Sequence, residues 1–329
     1  MTGRARRLLS RIALLIACAA VPVAPPAVAQ PFPPGTIRIL VPTAPSTPPD
    51  IISRVVASEL AAGEGWQVIV ENKPGAVMTI AGNEVLKQPA NGTAIYAMSV
   101  PIAAAPAFLP NMPFQLDRDF LPVVKISVSY NVLVVNPSVP AKSVSEFVQL
   151  LKSQPDKWNF LSGGFGTPAH LTGEMFKLQT GIRATHVPYQ QFPQAIGDLL
   201  GGGNHYMFIA MLPVVDLIKA GKLRALAVTG PERVAALPDV PSIVEAGYPD
   251  LVTEDWVGFA VKGGTPAGAI AQLNAAINKA LATARVHESF AKLGAKPAGG
   301  TAAEYGEFVK SQMAYWAAIV SRSGIRMPQ

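Results

Sequence analysis

The stretch Ser162-Gly163-Gly164-Phe165-Gly166-Thr167-Pro168-Ala169-His170 carries the clearest chemistry in the sequence. Residues 159–161 before it read as a strand, and residues 170–178 after it as a helix. Glycines at such a junction let several backbone N–H groups converge on one oxygen ligand, and the helix dipole favours a negative one. Ser162 and Thr167 add hydroxyls beside the N–H groups of Gly163, Gly164 and Gly166. Residues 164–169 also read as G-x-G-x-x-A, close to a dinucleotide fingerprint. That fingerprint wants an acid about 20 positions on to hold a ribose hydroxyl. The next strand instead ends His186-Val187-Pro188-Tyr189-Gln190-Gln191, without one. A turn that uses glycine only for its tight geometry is the bland alternative.

Other chemistries find no residues. His170, His186, His205 and His287 form no H-E-x-x-H pair, so a zinc hydrolase has no support. No G-x-S-x-G elbow and no Walker loop occurs. Cys18 is the one cysteine and lies near the N-terminus, which removes thiol nucleophiles, thiolate metal sites and disulfides. No cofactor and no metal are expected.

The elements that hold the loop alternate. Residues 37–41, 67–70 and 94–99 read as strands, and helical spacing of Ile51, Ile52, Val55, Val56 and Leu60 marks a helix between the first two. A second helix spans 80–87. The pattern repeats with strands at 159–161, 184–187 and 223–229 and helices at 170–178 and 193–200. Alternation of this kind indicates an α/β fold with mostly parallel sheets covered by helices. Residues 131–135 and 256–261 read as crossover strands between two such blocks, and 269–282, 285–293 and 302–321 as helices expected on the first sheet. Two lobes crossed twice by the chain imply a hinge and a cleft. The expected domains are 30–130 with 258–329, and 131–257.

Composition agrees. A length of 329 residues, 50% hydrophobic and 15% charged, suits two domains and a large core. The formal charge of +6 falls to 23 basic against 21 acidic residues once Arg4, Arg6, Arg7 and Arg11 are set aside, too even for a nucleic-acid surface. Those arginines, the apolar run 12–20 and Ala27-Val28-Ala29 have the layout of a secretory signal, 1–29, cleaved after Ala29. Pro22, Pro25 and Pro26 end the apolar run too early for a membrane span. Leu15-Ile16-Ala17-Cys18 is the alternative, a lipoprotein box anchoring the chain at Cys18.

Ordered landmarks along the chain resemble a known family. They include Ile39-Leu40-Val41-Pro42, Val70-Glu71-Asn72-Lys73-Pro74-Gly75-Ala76, Asn131-Val132-Leu133-Val134-Val135-Asn136-Pro137, the loop 162–170, His186-Val187-Pro188-Tyr189, Leu237-Pro238-Asp239-Val240-Pro241 and Gly264-Thr265-Pro266. The sequence is similar to the Bug family of extracytoplasmic solute receptors, which serve tripartite tricarboxylate transporters. The resemblance implies a two-crossover periplasmic-binding-protein fold (type II), a small carboxylate solute held between the lobes, membrane permease subunits as partners and a monomeric, non-enzymatic chain. A periplasmic sensor or scavenger is the alternative, and a hydrolase would need a nucleophile and base together. The resemblance also places Thr43, Ser46, Thr47, Gly75, Ala76 and Ser99 at the first-lobe side of the ligand, with Tyr189 at the second. The family's first loop reads P-F-x-x-G-G-x-x-D. Here it is Pro42-Thr43-Ala44-Pro45-Ser46-Thr47-Pro48-Pro49-Asp50, without both glycines and with two prolines that lack an N–H.

Overall fold

A computed structural model describes residues 32–109, 111–189 and 192–323, so the expected leader, Cys18 and Ala29 included, lies outside the described residues. Among the described residues the strands are β1 (Ile37–Val41), β2 (Val68–Asn72), β3 (Ala94–Ser99), β4 (Phe120–Val135), β5 (Asn159–Ser162), β6 (Thr185–Pro188), β7 (His205–Ala210), β8 (Arg224–Val228), β9 (Glu254–Lys262) and β10 (Ala295–Pro297). The helices are α1 (Pro48–Glu64), α2 (Thr79–Leu86), α3 (Val100–Phe108), α4 (Leu116–Asp119), α5 (Val144–Ser153), α6 (Pro168–Thr180), α7 (Phe192–Gly201), α8 (Val215–Lys219), α9 (Ala267–Leu281), α10 (Ala284–Lys292) and α11 (Ala302–Ser323). No helix among the described residues is long and apolar enough to cross a membrane.

The strand order is β2-β1-β3-β9-β4-β7-β5-β6, with β8 and β10 also paired to β4. Parallel pairing is confined to β2-β1-β3 and β6-β5-β7. Each of those blocks meets a crossover strand in antiparallel register, β3 on β9 and β7 on β4. The sheet is therefore mixed, because strands carrying the chain between blocks run against the strands they leave. β4 is a single 16-residue strand. Up to Tyr130 it pairs with β9, and from Asn131 with β7 and β8. β9 pairs with β4 from Glu254 to Lys262 and with β3 from Val257 to Val261. One side chain and one backbone bond tie the two passages together. Thr229 accepts the Asn131 N–H at 3.0 Å and donates to the Thr253 carbonyl at 2.8 Å, and Thr253 N–H donates to the Thr229 carbonyl.

Strand periodicity buries both faces. Ile37, Ile39, Val41, Ile95, Ala97, Val257, Phe259 and Val261 share one apolar cluster with Ile52, Val56 and Leu60 of α1 and Leu273, Ile277 and Phe290 of α9 and α10. Their alternates Leu40, Tyr96, Met98, Trp256 and Ala260 enter another, with Tyr305 and Trp316 of α11. That second cluster continues into Leu133, Phe160, Tyr206 and Phe208, so one core runs through both blocks. α9 and α10 lie on the first sheet, as expected. α11 reaches further, since its Tyr315 hydroxyl donates to Met175 Sδ of α6 at 2.7 Å.

Trp256 packs edge-on to Tyr305 and Phe308 and is 1% exposed, a packing residue. Its neighbour Gly258 is glycine because Tyr305 lies over it. A Cβ there would be 2.3 Å from the Tyr305 Cζ and Oη. Gly258→Ala is expected to cost about 1–3 kcal/mol by overpacking, read as a lower urea midpoint at unchanged m. An unchanged midpoint would mean the ring moves aside freely.

Candidate functional site

All twelve candidate residues follow the carboxyl ends of parallel strands, the edge where open α/β sheets bind ligands. Thr43, Ser46 and Thr47 follow β1, Gly75 and Ala76 follow β2, and Ser99 ends β3. Ser162 ends β5, with Gly163, Gly164, Gly166 and Thr167 behind it, and Tyr189 follows β6.

The second-block loop is wired more tightly than its sequence suggests. Ser162 Oγ accepts the Gly164 N–H at 3.0 Å and lies 3.1 Å from the Gly164 carbonyl and 2.6 Å from His186 Nε2. Thr167 caps α6 by accepting the His170 N–H at 3.4 Å, and its hydroxyl donates to the Gly164 carbonyl at 2.7 Å. Gly166 N–H donates to His170 Nδ1 at 3.1 Å. The groups expected to hold a solute, the Ser162 and Thr167 hydroxyls and the N–H groups of Gly164 and Gly166, thus hold the loop itself. The N–H groups of Gly163 and Phe165 have no protein partner among the described residues. These two are the free donors the loop presents.

Two imidazoles make this arrangement rigid. His170 and His186 stack with ring centroids 4.1 Å apart, and Phe160 and Phe165 enclose them. Since His170 Nδ1 accepts, its proton sits on Nε2. His186 Nδ1 is buried without a partner, so a proton on Nε2 donated to Ser162 leaves only a lone pair unused. Burial, then the neighbouring His186 and Lys177 charges, holds His170 down at about 3. Burial and Lys177 hold His186 at about 4. The Ser162–His186 pair escaped every motif search because it joins adjacent strands 24 residues apart. It is no nucleophile and base. Ser162 is wholly buried, and no carboxylate orients His186, whose basicity is too low to take a proton near neutral pH.

The first-block side is also internally bonded. Asp50 is 2% exposed and accepts from Ser46 N–H, Arg54 Nε and Asn72 Nδ2. Burial alone would raise its carboxyl, but these bonds together keep it below its ordinary value. Thr43 and Thr47 hydroxyls lie 2.7 Å apart, and Thr47 also donates to the Ala44 carbonyl. Ser46 keeps a left-handed backbone (φ 65), so the loop retains a glycine-like turn where the resembling family has glycine. Pro48 and Pro49 open α1 and bring no N–H to its positive end. Ser99 is 3% exposed, and its hydroxyl donates to Met78 Sδ at 3.3 Å, supporting the next loop from beneath.

That next loop is strained. Ala76, Val77 and Met78 all have positive φ (44, 50 and 72), rare for any L residue and most so for β-branched valine. Tyr96 pins it by donating its hydroxyl to the Met78 carbonyl at 2.8 Å. The strain turns Val77 toward the glycine loop. A Cβ on Gly166 would lie 3.4 Å from Val77 Cγ1 and 3.1 Å from Phe108 Cζ of α3. Sequence reasoning missed Val77, Phe108, His170 and His186 as parts of the site. Tyr189 donates its hydroxyl to Asp198, which with burial pushes the phenol up to about 12 and turns it to its own block. The Tyr189 carbonyl lies 4.0 Å from a Gly164 Cβ position.

Comparison with known proteins gives consistent matches. The model of the TctC family, described as tripartite tricarboxylate transporter family receptor, matches residues 52–325. Protein BugT of Bordetella pertussis is 32% identical over 323 residues, 98% of each chain. A Rhodopseudomonas palustris protein solved with adipate superposes with a TM-score of 0.81 at 28% identity, covering 90% of this chain and 99% of that one. The periplasmic binding protein BugD superposes with a TM-score of 0.78 at 27% identity, over 90% and 99% of the two chains. Its fold is that of periplasmic binding proteins, and the chain belongs to the TctC family of tripartite tricarboxylate transporter receptors, which are solute-binding proteins and not enzymes.

Proposed function

We infer that the chain is an exported receptor that holds a small carboxylate solute between its two blocks, closes by bending at the crossover strands, and passes the solute to membrane permease subunits. The observation that carries this reading is the pair of unpartnered N–H groups, Gly163 and Phe165, on a loop whose other polar groups are committed. Main-chain hydrogens fixed in this way suit an anion and break no bond in it. The lobes are 30–130 with 258–329, and 131–257. Ties among Asn131, Thr229 and Thr253 support a bend at that level. Adipate in the structure of a family relative supports the ligand class. The leader at 1–29 supports the periplasm as the place of action, with the protein working as a monomer.

Micromolar binding needs about −8 kcal/mol. A ligand at 100 times its Kd stabilises the fold by about 2.7 kcal/mol, which raises the melting temperature by several degrees. A panel of mono-, di- and tricarboxylates is therefore expected to contain members that shift the melting curve of the purified chain. A panel without any shift would remove the reading.

A further inference from the structure

We propose that the chain carries a second ligand site, apart from the loops described above: a cavity beneath the first half of α11 that takes one uncharged ring compound bearing an oxygen acceptor. The proposal goes beyond the carboxylate-receptor reading and does not depend on it.

A cavity of about 290 Å³ lies between α11, α4 and the strands β3, β4 and β9. None of the twelve candidate residues lines it. Its inner wall is Met98, Phe120, Ala260, Tyr305 and Val309, each no more than 9% exposed. An apolar cavity of roughly 150 Å³ is enough to bind benzene, so a substituted ring fits here.

One polar group stands out in that wall. The Tyr305 hydroxyl is buried with no hydrogen-bond partner among the described residues. It rests on the bare backbone of Gly258, where a Cβ would stand 2.3 Å from it. Gly258 is the cross-strand partner of Met98 and lies two residues before Ala260, so all three occupy one face of the sheet. Met98 and Ala260 on that face floor the cavity, and the hydroxyl ends between them. The neighbouring Tyr96 hydroxyl is already committed to the Met78 carbonyl. A buried donor without an acceptor is costly, and an acceptor oxygen on a guest removes that cost.

The mouth sets the charge of the guest. Asp117, Glu307 and Lys310 are exposed at its rim. Glu307 already holds Lys310 Nζ at 2.8 Å, and Asp117 adds a second acid. Two acids against one paired lysine disfavour a carboxylate, whereas an uncharged ring meets no such repulsion.

Acetophenone and ethylbenzene share a ring and a two-carbon arm and differ in the carbonyl, which isolates the Tyr305 hydrogen bond. Ligand-observed NMR titration of the purified chain is expected to give acetophenone a Kd of about 1 mM or lower. Tyr305→Phe, which removes only the hydroxyl, should weaken acetophenone at least fivefold and move ethylbenzene less than twofold. Ala303→Trp, on the exposed lip of the cavity, should weaken both at least tenfold and serves if Tyr305→Phe fails to fold. Carboxylates of the panel in excess should not displace acetophenone. A folded wild-type chain that binds no acetophenone holds only water there, and the site is overturned. Equal effects of Tyr305→Phe on the two rings, an affinity unmoved by Ala303→Trp in its place, or displacement by a carboxylate overturns it too. Each of these outcomes leaves the carboxylate receptor to its own test by melting curves.

Discussion

Gly166→Val lowers carboxylate affinity at least 100-fold, while the chain still unfolds cooperatively at a melting temperature only a few degrees lower. Two causes act together. Gly166 has φ 74, a conformation that costs an L residue about 1–2 kcal/mol. Its new Cβ would lie 3.1 Å from Phe108 Cζ and 3.4 Å from Val77 Cγ1, and the valine methyls reach further still. The cheapest relief is to part the two loops, which disturbs the place between the blocks where the guest is proposed to sit. A 100-fold loss corresponds to about 2.7 kcal/mol, within the reach of one overpacked contact. Phe108→Ala in the same chain isolates the wedge. If the contact is the cause, the double variant binds more tightly than the two separate losses predict, with a coupling above about 1 kcal/mol. Wild-type affinity in Gly166→Val would show that the guest sits elsewhere.

Much of this geometry was readable because its causes are local. The strand at β5, the glycines and Pro168 at the start of α6 follow one another in the chain, so the sequence alone placed an anion loop at a helix start. The same holds for β1, the Pro-rich turn and α1. What escaped was everything set by register between distant segments. That Ser162 meets His186 depends on β5 lying beside β6, with Phe160 opposite His186. That pairing decides which N–H groups are consumed and which stay free. The helix α3 escaped for another reason. Pro101 and Pro106 argue against a helix when read as composition, yet Pro101 falls in the first turn, where its missing N–H costs little, and Pro106 near the last. Without α3 there was no reason to set Phe108 against Gly166. The twin losses of glycine at Ser46 and Thr47 suggested a rebuilt first loop. Ser46 nonetheless adopts φ 65, held by the Asp50 carboxylate on its N–H, so the path of the chain survives while its chemistry changes.

Acid should weaken the fold through the stacked imidazoles well before it reaches the carboxylates that brace the loops. In the folded chain His170 protonates only at about 3 and His186 at about 4, whereas free imidazoles titrate near 6.5. Between those limits the unfolded chain binds more protons than the folded one, so stability is complete above about 6.5 and falls as the pH drops toward 4. Each imidazole contributes on the order of 3 kcal/mol to that loss. Asp255 works in the opposite direction, because burial raises its carboxyl to about 7 and the folded state gains as it protonates. Comparing variants removes this opposing contribution. The wild-type chain and the His170→Gln/His186→Gln variant share Asp255 and all other carboxylates, and differ in the imidazoles alone. Urea midpoints at pH 7.5 and pH 4.5 should show the variant losing several kcal/mol less between the two. Equal losses would mean that the pair does not carry the acid sensitivity. The same titrations fix what the pair does for binding. Neither ring takes a proton above about pH 5, so the Ser162 and Gly166 bonds that shape the loop stay intact, and carboxylate affinity should be level from pH 8 to pH 6, where the guest itself is still ionised. A receptor whose grip comes from main-chain hydrogens held by neutral rings keeps its grip while its surroundings acidify, until the fold itself begins to yield.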